Sequence, residues 1–180
     1  MANRSDVKTS PIKTAITEAD GIDLGLIELL FFAYRDFTSD PDEILAGYGF
    51  GRAHHRVLHF VNRMPGLTVA ELLDVLKITK QSLSRVLKQL IDTDHIVQLQ
   101  GQSDRRQREL YPTPRGRALA LALARPQSRR IHAALNGARG AERETVEKFL
   151  KAMVNPELRV QIDKLPAGPG PQKAEENYGN

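Results

Sequence analysis

Apolar residues recur along this chain at two different spacings, and the spacing changes near residue 96. Before that point Val69, Leu72, Leu73 and Leu76 share one face of a short helix. Leu83, Val86, Leu87, Leu90 and Ile91 then repeat at i, i+3, i+4, i+7 and i+8 along a second helix. After it, Ile96-Val97-Gln98-Leu99-Gln100 alternates partially, Gly101-Gln102-Ser103 has turn chemistry, and Arg108 to Thr113 reads as a returning strand. Thr68 and Glu71 form a capping-box pair at the start of the first helix, and Thr79 is placed to cap the second. Pro112 cannot donate to a ladder and so ends the second strand, while Thr113-Pro114 reads as an N-cap followed by proline at the first helical position. Two capped helices and a hairpin predict a mainly α fold carrying a winged helix-turn-helix over about residues 50–116.

The polar residues between these apolar stripes suggest what the motif touches. The outer face of the second helix carries Lys80, Gln81, Ser82, Ser84, Arg85, Lys88 and Gln89, all hydrogen-bond donors and none acidic. An ordinary solvated helix can look the same. The hairpin tip, however, adds Asp104, Arg105, Arg106 and Arg108, and basic residues in both places favour DNA. Gln81, Ser82, Ser84 and Arg85 are then the candidates for base edges or nearby phosphates, Lys80 and Lys88 for phosphate positioning, and Thr79 starts the helix that presents them. Arg106 is the candidate for the minor groove, with Asp104 holding its orientation.

Residues 1–20 are polar and read as a loose arm, residues 21–165 as one domain, and residues 166–180 as a disordered tail. A helix from Ile22 to about Phe37 is apolar around too much of its circumference for a lone surface helix, and a subunit interface would cover it. Ser39-Asp40-Pro41 starts another, Gly47 to Gly51 loosens or bends it, and a further helix runs to about Arg63. That helix holds His54, His55 and His59. The i, i+4 pair His55 and His59 has metal-ligand spacing but would need a further ligand, another His or a carboxylate such as Glu28 or Asp23, and no metal is expected. The favoured reading places the histidines at the edge of a Val57, Leu58, Phe60, Val61 core stripe, with His54 or His55 lining a ligand pocket as the second. After the wing, a helix from Arg115 is expected to break or kink at Pro126 and to continue to Asn136-Gly137. Ala141 to Val154 and Pro156 to Ile162 form the last two helices, and arginines from Arg125 to Arg143 are either a solvated face or a second track for phosphates.

Composition narrows this further. The chain has 180 residues, a net charge of +4 and no cysteine, so disulfides, thiolate zinc sites and thiol-based oxidation sensing are excluded. Between Glu18 and Glu43 acidic residues face Arg35 alone, which leaves the remainder more basic than the total suggests. The best apolar run, Leu24 to Ala33, is too short for a bilayer and contains Glu28, so a cytoplasmic protein with no membrane partner is expected. No phosphate loop or nucleophile elbow is present and His132 has no acid or serine at motif spacing, so an enzyme is not expected, nor any cofactor.

The stretch from the capped helix through SRVLKQLID and DHIVQLQGQSDRRQRELYPTPRG resembles the MarR family of bacterial transcription regulators. The most specific features are Asp104 and Arg106 as an Asp-x-Arg wing signature and Thr113 to Gly116 as a Thr-Pro-x-Gly helix start; the likeness extends upstream through Phe50 to Leu58. The resemblance implies a homodimer made by the terminal helices, about residues 21–37 and 114–163. It also implies a pseudo-palindromic double-stranded DNA operator, a repressor role, and release by a small-molecule effector near the dimer-forming helices. The alternatives are a winged-helix protein-interaction module and a nonspecific architectural DNA-binding protein.

Overall fold

The computed structural model describes residues 15–101, 106–135, 140–163 and 165–166, and the chain divides into two units between Asp36 and Phe37. A turn of 3-10 helix at Glu18–Asp20 precedes α1 (Leu24–Ser39), which runs across that division. The helix starts where Asp23 can cap it, its Oδ1 accepting from the Leu26 N–H at 3.0 Å. No residue of α1 is buried within the single chain.

In the second unit, the glycines between 47 and 51 do what their spacing predicts: α2 (Asp42–Gly47) ends, Gly49 turns the chain at φ +67°, and α3 (Arg52–Arg63) begins. Arg52 reaches back to Asp42 in a 2.8 Å ion pair across that turn. Val57, Leu58 and Val61 of α3 have no exposed surface. They face α4 (Val69–Leu76), α5 (Lys80–Asp92), β3 (Arg108–Pro112) and α6 (Pro114–Ala134), so α3 is the post around which the other elements pack. Each such side chain contributes about 1.5–3 kcal/mol on burial.

The wing hairpin pairs β2 (Ile96–Gln100) with β3, Gln98 opposite Leu110, and a third strand, β1 (Leu67–Thr68), adds to the other edge of β3. β1 has two residues, too few for an alternation to show in the sequence. Of the break or kink expected at Pro126, the break does not occur, because α6 continues through it to Ala134. A proline inside a helix removes one backbone bond and costs about 3 kcal/mol. Here Leu119 and Leu123 anchor the preceding turns in the core, and the following turns are tied to Phe37, in the last turn of α1, and to Asp40 just after it: Gln127 donates to the Phe37 carbonyl at 3.1 Å and Arg130 grips Asp40 at 2.6 and 2.7 Å. The Arg130 bond holds the Asp40 carboxyl below its usual pKa. Helices α7 (Gly140–Met153) and α8 (Pro156–Asp163) complete the described chain. Among the described residues no helix is long and apolar enough to cross a membrane.

The wing, α5 and α6 are joined at one point. Thr113 Oγ1 accepts from the Gly116 N–H at 3.0 Å, capping α6, and donates to the Asp94 carbonyl at 2.7 Å. The Thr113 N–H donates to the His95 carbonyl at 3.2 Å. That same carbonyl lies where a side chain on Gly116 would go: a Cβ there would be 1.8 Å from it. The Thr-Pro-x-Gly run is thus a joint in which threonine supplies the bonds and glycine supplies the clearance. Replacing Gly116 with Ala forces backbone apart, and we expect thermal denaturation to show a loss of about 3 kcal/mol or more; unchanged stability would mean that the joint is not close-packed.

Candidate nucleic-acid interface

The helix-turn-helix is set by its caps. The Thr68 N–H donates to Glu71 Oε2 at 2.8 Å and Thr68 Oγ1 accepts from the Glu71 N–H at 3.3 Å, the reciprocal pair expected from the sequence. α4 ends at Lys77, which adopts a left-handed conformation at φ 51° and redirects the chain. Arg56 of α3 donates to the Leu76 carbonyl at 2.8 Å, satisfying one of the last acceptors of α4. Thr79 then caps α5, accepting from the Ser82 N–H at 3.2 Å and donating to Ser82 Oγ at 2.9 Å.

With Leu83, Val86, Leu87 and Leu90 buried, α5 presents Lys80, Gln81, Ser82, Ser84, Arg85 and Lys88 to solvent. Gln89 departs from the sequence reading. It is half-buried, its Oε1 paired at 2.9 Å with His54 Nε2 and its Nε2 donating to the Gly49 carbonyl at 3.4 Å. The sequence hides this because glutamine is at home on any exposed helix. Lys88 also has a partner that the sequence reading passed over, forming an i, i+4 ion pair with Asp92 at the end of the same helix. Both members are exposed, so the pair is screened and contributes about 0.3–0.5 kcal/mol.

On the wing, β2 and β3 remain paired as far as Gly101, whose N–H donates to the Gln107 carbonyl at 3.1 Å. Arg106 and Arg108 are exposed on the returning arm. Asp104 and Arg105 lie outside the described residues. The structure therefore brings the exposed Lys80 to Lys88 face of α5 and the exposed Arg106 and Arg108 of the wing into one motif.

The histidines of α3 lie beside the core stripe. The Gly51 N–H donates to His54 Nδ1 at 3.1 Å, which leaves Nε2 to donate to Gln89, and the ring stacks on Phe50 at 4.7 Å with an interplanar angle of 6°. His55 is half-buried, and burial lowers its pKa while Asp42 opposes the shift. His59 packs edge-on against Phe60. Among the described residues no three His, Asp or Glu side chains converge as a metal site.

A mainly helical chain, a small antiparallel sheet and a basic helix beside an arginine-bearing wing define a winged helix-turn-helix DNA-binding protein. Comparison with known proteins agrees. The family model for the MarR family matches residues 48–107. The HTH-type transcriptional regulator PetP of Rhodobacter capsulatus is 47% identical over 139 residues, which cover 77% of this chain and 84% of PetP. The chain belongs to the MarR family of transcription regulators. The crystal structure of MarR shares the fold with a TM-score of 0.60 at 20% identity, covering 83% of this chain and 99% of MarR. Streptococcus pneumoniae FabT, solved in complex with DNA, shares it with a TM-score of 0.62 at 18% identity, covering 72% of this chain and 93% of FabT.

The capping geometry makes a direct prediction. Thr79→Ala removes the cap of α5 and should cost about 1 kcal/mol in urea denaturation; no loss would show that the α5 start is held by other contacts.

Proposed function

We propose that the protein is a homodimeric repressor that binds a pseudo-palindromic operator, with α5 in the major groove and Arg106 of the wing in the adjacent minor groove. The observation that carries this reading is the outer face of α5: Lys80, Gln81, Ser82, Ser84, Arg85 and Lys88 are exposed together, and none is acidic. Gln81, Ser82, Ser84 and Arg85 read base edges or nearby phosphates, Thr79, Lys80 and Lys88 set the helix on the backbone, and Arg105 and Arg108 flank the groove contact of Arg106. Asp104 orients Arg106 in this reading. The Lys88–Asp92 pair is weak enough for a phosphate to displace Asp92.

The exposed apolar residues support a dimer. Leu29, Phe31 and Phe32 of α1 are 65%, 69% and 56% exposed in the single chain, and Phe149, Leu150 and Met153 of α7 are close to half exposed. Apolar surface of that extent calls for a partner, and a second copy of the chain supplies it. Release by a small-molecule effector near His54 and His55 belongs to the same reading. A ligand reaching His54 would compete with Gln89 and so touch α5 directly.

Selection of duplexes from a random pool, followed by anisotropy titration at fixed salt, tests the reading. We expect competitor-resistant nanomolar binding to a symmetric site; binding without sequence preference would identify an architectural protein, and no binding a protein-interaction module. On the selected duplex, Arg106→Ala should weaken binding by about 1–3 kcal/mol. Lys88→Ala should reduce the salt slope by about one counterion without altering sequence preference. Equilibrium sedimentation should give a dimer that Phe149→Asp dissociates, and a monomeric wild type would overturn the twofold arrangement.

A further inference from the structure

His95 is a titratable side chain with no exposed surface, placed where α5, β2 and α6 meet. Its backbone is bonded on both sides: the N–H donates to the Leu90 carbonyl at 2.8 Å, and the carbonyl accepts from Thr113 and lies against Gly116. Asp94, immediately before it, holds a left-handed conformation at φ 59°, which asparagine and aspartate tolerate better than other side-chain-bearing residues. These contacts fix the backbone that carries the ring.

Its protonation state follows from its neighbours. The Thr93 hydroxyl donates to the Gln89 carbonyl at 2.7 Å, so at its 2.9 Å contact with His95 Nδ1 it accepts, and Nδ1 carries the proton. Nε2 is then the unprotonated nitrogen, and among the described residues it has no hydrogen-bond partner. The Tyr48 and Phe50 rings of the α2–α3 turn pack on the imidazole edge-on, with centroids 5.7 and 5.2 Å away. His54 stacks on Phe50 in turn. The charged groups that act on the ring are Arg115, on the first turn of α6, and Asp94; Tyr48 is the titratable group packed on it from the α2–α3 turn. A second proton would place an N–H on Nε2 with no acceptor in a closed aromatic environment, and would add a positive charge where Arg115 already acts.

We propose that His95 is a proton-sensitive positioning residue: the joint between α5 and the wing closes only around a neutral imidazole, so acidification opens it and weakens DNA binding. This rests on the DNA-binding reading above. Burial, chiefly, and Arg115 lower the pKa of the ring, while Asp94 and a bond to the Thr93 backbone oppose the shift. The folded pKa is thus below the value of about 6.5 for a free histidine. A depressed pKa means that the stabilisation is fully present above pH 6.5 and is lost as pH falls through the folded pKa. The sign is diagnostic. A surface histidine that gained a proton without moving would add positive charge and strengthen attraction to DNA on acidification, whereas opening the joint does the reverse.

The test uses the full chain and a duplex selected by this protein at pH 7.5. Wild-type affinity should fall as the pH is lowered from 7.5 to 5.5. His95→Phe, which keeps a ring and cannot titrate, should lose that fall or show the opposite trend. Equal pH profiles for the two proteins, or global unfolding of the wild type by pH 5.5 in circular dichroism, would overturn the proposal. Nitrogen-15 imidazole spectra of the free wild-type protein give a reading independent of DNA. The Nδ1-protonated tautomer should persist below pH 6.5, and on protonation the amides of Thr93 to Ile96 and of Arg115 and Gly116 should shift with the ring. A ring that titrates at 6.5 with those amides unmoved would sink the proposal even if DNA binding proves strong. Failure to select any duplex at pH 7.5 would instead sink the DNA-binding reading.

Discussion

The carbonyl of His95 accepts from the Thr113 N–H and rests against the bare α-carbon of Gly116, and the placement of the wing depends on that contact. A winged helix-turn-helix needs two probes at a fixed offset, one on a helix and one on a hairpin, while the hairpin itself is a thin ribbon of two five-residue strands. Short strands of this kind are marginal alone. The ribbon gains its footing because β2 follows α5 after the short Thr93–His95 turn and β3 runs directly into the cap of α6. Thr113 bonds to both the Asp94 carbonyl and the Gly116 amide, so one hydroxyl ties the root of the hairpin to the helix that follows it. Any shift of α6 against α5 must therefore pass through the wing.

The second support is α3, which is buried along Val57, Leu58 and Val61 and reaches the helix-turn-helix by polar side chains as well. Arg56 holds the end of α4, and His54 holds Gln89 in the last part of α5. Burial of apolar residues brings the helices together without fixing their angle, since it is not directional. The directional bonds at the two ends of the pair do that. The outer face of α5 is left with side chains whose partners are weak or on the same helix, as with Lys88 and Asp92, and such groups are the ones available to a polyanion.

Much of this architecture could be read from the residues. The Thr68–Glu71 box, the Thr79 cap and the Thr113-Pro114 start follow from local chemistry, and each is found where the spacing places it. Periodicity located α4 and α5 because each has one strongly apolar face. Three features escaped. β1 is too short to carry a period, and it exists because Leu67 lies opposite Leu110, a contact separated by most of the motif. Pro126 carries a strong local signal for a break, which packing on one side and the Asp40–Arg130 pair on the other override. Gln89 and His95 look like ordinary surface and strand residues; their partners, His54 and the Tyr48–Phe50 rings, are distant in sequence and met only in the fold. The candidate DNA contacts were legible for the opposite reason, since exposed residues of one chemical type on one helix face need no tertiary information to be recognised.

The central claim is that the face of α5 from Lys80 to Lys88 and the arm of the wing at Arg106 and Arg108 engage DNA as one surface. Hydrogen–deuterium exchange of the full-length protein with and without a selected duplex addresses it most directly, because amides at the α5 start and on the wing report separately. Slowed exchange in both segments, released together at high salt, is the result this account predicts. Protection confined to the terminal helices, with α5 and the wing unchanged at saturating duplex, would contradict it.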